Sequence, residues 1–419
     1  MKIKSLLLAL VIAASVCMLP SCTKIEPSLV ETTSPSQMRE DVLDEIKHTS
    51  GEFKVYDVSG FIGTKYIFKN KSGIFTQKNS RVIKPPALVR NKYITSYMTN
   101  GKLVMYTAYE DENDPNGRKL RSGTQLFCVR TDGTGFKKIA HFNNANLFLL
   151  GYCNGSVYFT GDKTYRYKSQ SIYSYSFSDA LLLTRRTGLK NVMLKGSRIF
   201  YNYYYEGDMK NVGLYAMNIA DKDKQDVRIA DSAYSEDYSD SKSEAAFWSH
   251  NYDRGFDKFN GDHYLYIYKN GSVTKSAKFP DKTIPLAYVS ASGQALAYFE
   301  DSKNSGVYLF DVKTGNKTFV SDTKLQYGLQ KNIQSKYTYF IVNGSGTIED
   351  IGKSDSHIYR LQDNRLVEVI IPKKSPDFNK GTIIIDKWVR YRDGKLRSYR
   401  LYEKAQTSGA ETTKSATAQ

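Results

Sequence analysis

Between Pro285 and Asp322 the chain reads PLAYVS, ASG, ALAYFE, DSKNSG, VYLFDV, KTGN, KTFVSD. Four short runs rich in aliphatic and aromatic residues are separated by Gly, Asn, Asp and Ser, the pattern of four up-and-down antiparallel strands, a to d. The same template fits residues 92–142, 145–187, 191–230 and 325–370, and fits 244–280 less well, where the second strand is unclear. Residues 52–86 supply a short version, FKVYDV, KYIFKN, SGIFTQ and SRVIK, and 382–403 supply two or three strands. No long stretch of this body has helical periodicity. A four-stranded unit recurring every ~40–50 residues cannot bury both faces alone, so neighbours must stack around an axis as a β-propeller.

The expected fold is therefore all-β, a single β-propeller of four-stranded blades over residues 52–404. Counting every unit gives eight blades, whereas an N-terminal strand completing the C-terminal blade gives seven. Within a range of six to eight, seven is favoured, because closure between the termini removes an exposed sheet edge. The c strands VYLFDV, GLYAMN, SIYSYS and HIYRLQ alternate so as to give one face to each adjacent blade. Tyr, at 33 residues against 20 Phe and 2 Trp, suits such half-buried strands.

Two units carry a family resemblance. GTQLFCVRTDGTGFKKIA (123–140) is similar to the repeat of TolB-like propellers: a strand, Asp-Gly, a small residue with Gly, then a basic-apolar strand. GVYLFDVKTGNKTFVSD (306–322) has the same layout. As a pattern the resemblance spans most of 52–404, and it implies protein binding or scaffolding, as in exported TolB-like and WD-like propellers of bacteria. Fold analogy does not by itself fix function.

The N-terminus has the layout of an export signal. Lys2 and Lys4 precede an apolar run from Leu6 to Leu19, followed by Pro20-Ser21-Cys22. The run is shorter than the roughly 18–20 residues needed to span a bilayer, and such segments are routinely removed. Leu19-Pro20-Ser21-Cys22 resembles the lipobox of bacterial lipoproteins, with Pro20 less usual at its second position. The resemblance implies cleavage of residues 1–21 and acylation of Cys22, with palmitate among the chains. Two or three chains at ~0.8 kcal/mol per buried CH₂ anchor a protein stably. The expected location is the cell envelope: the outer membrane where the cell has one, otherwise the outer face of the cell membrane. Residues 22–51, acidic and rich in Ser, Thr and Pro, read as a flexible tether in which 37–47 form at most a short helix. Residues 405–419, mostly Ala, Thr and Ser, read as a disordered tail. The whole chain carries +17, and the acidic tether concentrates the excess in the body. Without a Lys/Arg tract, this charge points to anionic lipid, protein or glycan rather than nucleic acid.

Few residues suggest chemistry. There is no Gly-x-Ser-x-Gly elbow, HExxH, Cys-x-x-Cys or phosphate loop. Asp262-His263 and Asp355-Ser356-His357 read as surface pairs at the start of c strands, and Ser272-Val-Thr-Lys275 as a chance match on a d strand. Asp111–Gly117 lacks the Gly and Glu spacing of a calcium loop, so no metal or cofactor is expected. Cys128 and Cys153 read as free thiols, with a disulfide the alternative that export permits. The candidate contact residues are Tyr165 and Tyr167 in a b–c loop, Tyr203 and Tyr205 beside another, and Arg390 and Arg392 on one face of a strand. The expected function is a membrane-anchored binding or scaffold module for an envelope or surface protein or an anionic glycan. The alternative is a lyase or hydrolase acting on polysaccharide at the propeller channel.

Overall fold

The computed structural model describes residues 30–31, 36–49 and 52–403, apart from connections that include 79–86, 114–118, 163–168, 204–209, 251–262, 322–328, 331–336, 344–355 and 371–380. The described residues form eight antiparallel sheets in chain order, each built around a run of consecutive up-and-down strands, to which the second and seventh add strands from elsewhere in the chain. The first spans 59–89, the second 94–143, the third 146–187, the fourth 189–230, the fifth 233–275, the sixth 283–321, the seventh 329–370 and the eighth, with three strands, 381–400.

Consecutive sheets pack face to face, and strand alternation assigns each side chain to one neighbour. In the second sheet Tyr97, Tyr106 and Phe127 pack with Ile67 and Ile74 of the first, while Met98, Met105 and Cys128 pack with Leu149, Phe159 and Tyr175 of the third. In the fourth, Ile199 and Tyr201 face the third sheet and Phe200 faces Phe247 of the fifth. The series continues through Trp248 and Phe310 between fifth and sixth, Leu296 and Leu361 between sixth and seventh, and Ile358 and Tyr399 between seventh and eighth. Each fully buried large side chain stabilises the stack by roughly 1.5–3 kcal/mol. Hydroxyls add polar ties between the second and third sheets: the Leu147 amide donates to Thr124 Oγ1 at 2.9 Å and the Leu149 amide to Ser96 Oγ at 2.8 Å.

The two best-patterned units fold as read, because their turns are chemically specified. Asp132 accepts from the Thr134 amide (2.9 Å) and Asp311 from the amides of Lys313 and Thr314 (2.9 and 2.8 Å), so the Asp in each motif closes the c–d hairpin. These bonds hold the Asp311 carboxyl below the usual carboxylate range. Gly133 and Gly315 occupy left-handed backbone at φ 88° and 79°.

Three expectations change. Lys54–Tyr56, read as the first strand of the unit 52–86, instead pairs with Ile94–Thr99 of the second sheet and does not complete the C-terminal sheet. The first sheet takes its strands from Ser59–Ile62 to Ala87–Val89. The fifth sheet begins at Ala233–Asp237, so AAFWS is its second strand rather than its first.

The segment 22–51 is not a flexible tether throughout. Ser36–His48 is a helix whose Val42 and Ile46 are 1% and 6% exposed against the interface of the second and third sheets. Lys137 pairs with Asp41, Arg130 with Glu45, and Asn100 Nδ2 donates to Thr49 Oγ1, fixing the helix across the a–b and c–d turn end of the second sheet. Val30–Glu31 pairs with the outer strand Lys137–Asn143. The acidic residues that suggested a solvated spacer are therefore partners for the basic turn beneath them. At the other terminus, Tyr402–Glu403 returns to pair with Val369–Ile370 of the seventh sheet, and Arg360 bonds Glu403.

Candidate functional site

A cleft of about 220 Å³ lies between the fourth and fifth sheets at their a–b and c–d turn ends. The turn Lys195-Gly196-Ser197-Arg198 forms one wall, and Ser243, Ala245, Tyr268, Asn270 and Gly271 the other, with Phe200 as its floor. Both turns use left-handed backbone, at Gly196 (φ 57°), Asn270 (49°) and Gly271 (84°), which suits tight two-residue hairpins and brings the walls together. A Cβ at Gly271 would lie 3.9 Å from Arg198 Nη2.

Among the described residues, two cations line this cleft and no carboxylate does. Lys195 is consumed structurally: its ammonium donates to Asp237 Oδ2 at 2.5 Å, with side chains 15% and 5% exposed. Asp237 Oδ1 accepts from the amides of Ser239 (2.9 Å) and Ala246 (3.0 Å), so this carboxylate locks the fourth sheet to the fifth. Arg198 is held differently. Its Nε donates to the Tyr268 hydroxyl, its guanidinium carbon lies 5.6 Å from that ring's centre, and Nη1 reaches Ser197 Oγ at 3.4 Å. Nearby Glu244 is engaged by Lys269 at 2.6 Å. The result is a guanidinium oriented by neutral partners beside Ser197, Ser243 and Asn270, an arrangement that offers donors to a carboxylate, sulfate or phosphate.

A second basic element is the eighth sheet. Its register sets Arg390 opposite Arg397 and Arg392 opposite Lys395, so four cationic residues fall at paired positions of two adjacent strands.

The candidate residues fare differently. Tyr203 is core rather than contact surface: it is 7% exposed and edge-to-face with Tyr215 at 6.5 Å, between the third and fourth sheets. Its place beside a b–c loop suggested contact surface, but Tyr203 closes the strand Arg198–Tyr203 and packs between sheets. Arg390 and Arg392 lie on the strand Lys387–Arg392. Cys22, Tyr165, Tyr167 and Tyr205 lie outside the described residues. His263 is not at the surface: it is 7% exposed and stacks on Trp248 at 5.3 Å. Ser272–Lys275 is an exposed strand, with Lys275 over the Tyr264 ring at 3.6 Å. Cys128 and Cys153 are both free; burial pushes the Cys128 thiol up to about 12 and, aided by Glu52, raises that of Cys153. Sequence reasoning missed Arg198. Its local signal is two cations flanking a Gly-Ser turn, but the Tyr268 partner lies 70 residues away.

No family model matches the chain, and no curated protein matches it. Solved β-propeller structures do. The propeller domain of the Trilobed protease from Pyrococcus furiosus has a TM-score of 0.44 at 11% identity, covering 74% of this chain and 94% of that one. Oligogalacturonate lyase from Vibrio parahaemolyticus has 0.44 at 9%, covering 90% and 95%. TolB from Acinetobacter baumannii has 0.30 at 14%, covering 77% and 81%. The chain spans about half the length of the prolyl endopeptidase and acylaminoacyl peptidases it also matches. At these scores nothing about activity follows.

Proposed function

We propose that this chain is an exported, lipid-anchored protein of the bacterial cell envelope, acylated at Cys22, whose body is a β-propeller that binds an anionic partner. The eight stacked sheets serve as its blades, in place of the seven favoured from the sequence. The partner is an acidic glycan or an acidic surface of an envelope protein. The observation that supports this most is Arg198: a guanidinium oriented by Tyr268 and Ser197 in a cleft lined, among the described residues, by no carboxylate. The paired cationic positions of the eighth sheet are a second contact for the same kind of partner.

Polygalacturonate, a polymer of carboxylates, is a suitable probe. Arg198→Met is expected to weaken binding about ten- to a hundredfold, the loss of one charge-assisted contact worth ~1.5–3 kcal/mol. Reversal of Arg390 and Arg392 to Glu is expected to add to that loss, and rising salt to weaken binding throughout. Binding that ignores Arg198→Met and salt alike refutes the assignment. Depolymerisation of the probe would select the lyase or hydrolase reading instead.

A further inference from the structure

The N-terminal segment clasps a single sheet on three sides. Val30 pairs opposite Phe142 and Glu31 opposite His141, so the chain enters along the outer edge of the second sheet, near its d–a end. The helix Ser36–His48 then crosses the turn end of that sheet, held by Asp41, Glu45 and the buried Val42 and Ile46. Phe53 packs edge-to-face on Tyr152 at 5.4 Å, and Lys54–Tyr56 runs back along the inner edge, Lys54 opposite Thr99 and Tyr56 opposite Tyr97.

This clasp shortens whatever precedes it. Only residues 23–29 separate Cys22 from Val30. At ~3.5 Å per residue, the distance from Cys22 to Val30 is at most about 28 Å. A free chain from Cys22 to residue 52 would instead reach about 100 Å. We infer that, given the lipid anchor proposed above, the d–a end of the second sheet's outer edge docks onto the lipid headgroups. The Arg198 cleft opens at the opposite, a–b and c–d, end of the stack, so it faces away from the bilayer. The chain's excess of Lys and Arg makes an anionic headgroup layer the favoured occupant of the docked edge.

The test uses the acylated full-length protein in vesicles of phosphatidylethanolamine and phosphatidylglycerol containing a headgroup-nitroxide lipid. A fluorophore is attached at Asn143→Cys or at Ser321→Cys, at the d–a ends of the outer strands of the second and sixth sheets, with Cys128 and Cys153 replaced by Ala. Quenching is expected to be severalfold stronger at position 143. Inserting about thirty Gly/Ser residues after Pro27, with an r.m.s. span of ~30 Å added to the native reach, is expected to equalise the two. Mass spectrometry of the Cys22 peptide separates the two levels of the claim. Equal quenching with the acyl mass present overturns the docking alone, and absence of that mass overturns the anchor as well.

Discussion

The Lys195–Asp237 pair is the point at which the joint between the fourth and fifth sheets can be broken with a foreseeable asymmetry. Asp237→Ala removes one acceptor from three donors: the Lys195 ammonium and the amides of Ser239 and Ala246. A buried amide left without a partner costs about 1–3 kcal/mol. The ammonium, on a side chain 15% exposed, reaches water at the low end of that range by extending its stem. The sum is about 3–7 kcal/mol, which spans the usual 3–5 kcal/mol for breaking a buried pair from one side. Lys195→Met keeps the apolar stem and leaves the carboxylate with both amides, so its cost is smaller, about 1–3 kcal/mol. Asp237→Asn falls between them. Equilibrium urea unfolding of the protein, followed by far-UV circular dichroism, reads these as shifts in midpoint at constant slope. If Lys195→Met costs as much as Asp237→Ala, or Asp237→Ala costs under about 1 kcal/mol, the carboxylate is not the hub of that joint.

Alkaline conditions are expected to unfold the protein. Burial raises the Cys128 thiol from 9.0 to about 12 and the Tyr158 phenol from 10.0 to about 12. Both stay neutral in the folded state while the unfolded chain loses their protons, so the stability present below pH 9 declines as pH rises towards 12. Cys128 alone accounts for at most about 4 kcal/mol, and Cys128→Ala is expected to flatten the decline in a urea series from pH 8 to 11, against a starting stability lowered by the cavity. An unchanged slope would remove the thiol from the account. Gly161→Ala is expected to destabilise by about 1–3 kcal/mol, because a Cβ there would lie 1.9 Å from the Asn146 carbonyl oxygen across the first hairpin of the third sheet. A thermal midpoint equal to that of the parent would show that the two strands separate freely.

Local pattern was legible and long-range partnership was not. PLAYVS to KTFVSD coincides with the sixth sheet because alternation, Gly293 and the Asp311 turn all specify it within forty residues. FKVYDV also contains a strand, but alternation names a strand without naming its partner, and Tyr56 finds Tyr97 beyond an entire intervening sheet. Ala233–Asp237, Ala-Tyr-Ser-Glu-Asp, carries no run of apolar or β-branched residues; its stability comes from Asp237 bonding backbone and Lys195, which no propensity scale counts. Val42 and Ile46 are one turn apart, as a docked helix needs, yet two apolar residues among acidic ones read equally as spacer. Arg198 illustrates the same limit at the candidate site: its environment is built by two sheets, and neither strand alone displays it.

The way each chain end is used dictates an order of assembly during synthesis. The clasp around the second sheet emerges before the sheet it holds, so the helix Ser36–His48 has nothing to dock on until residue 142 has appeared. From there each new unit of four strands finds a finished face to stack on, and the stack grows in the direction of the chain. The seventh sheet breaks that rule, because its last strand, Tyr402–Glu403, follows the entire eighth sheet. The eighth sheet is thus enclosed between two parts of the seventh, and the fold is sealed only when residue 403 arrives. A chain truncated anywhere in its last twenty residues of folded body keeps six complete sheets and an unlatched end.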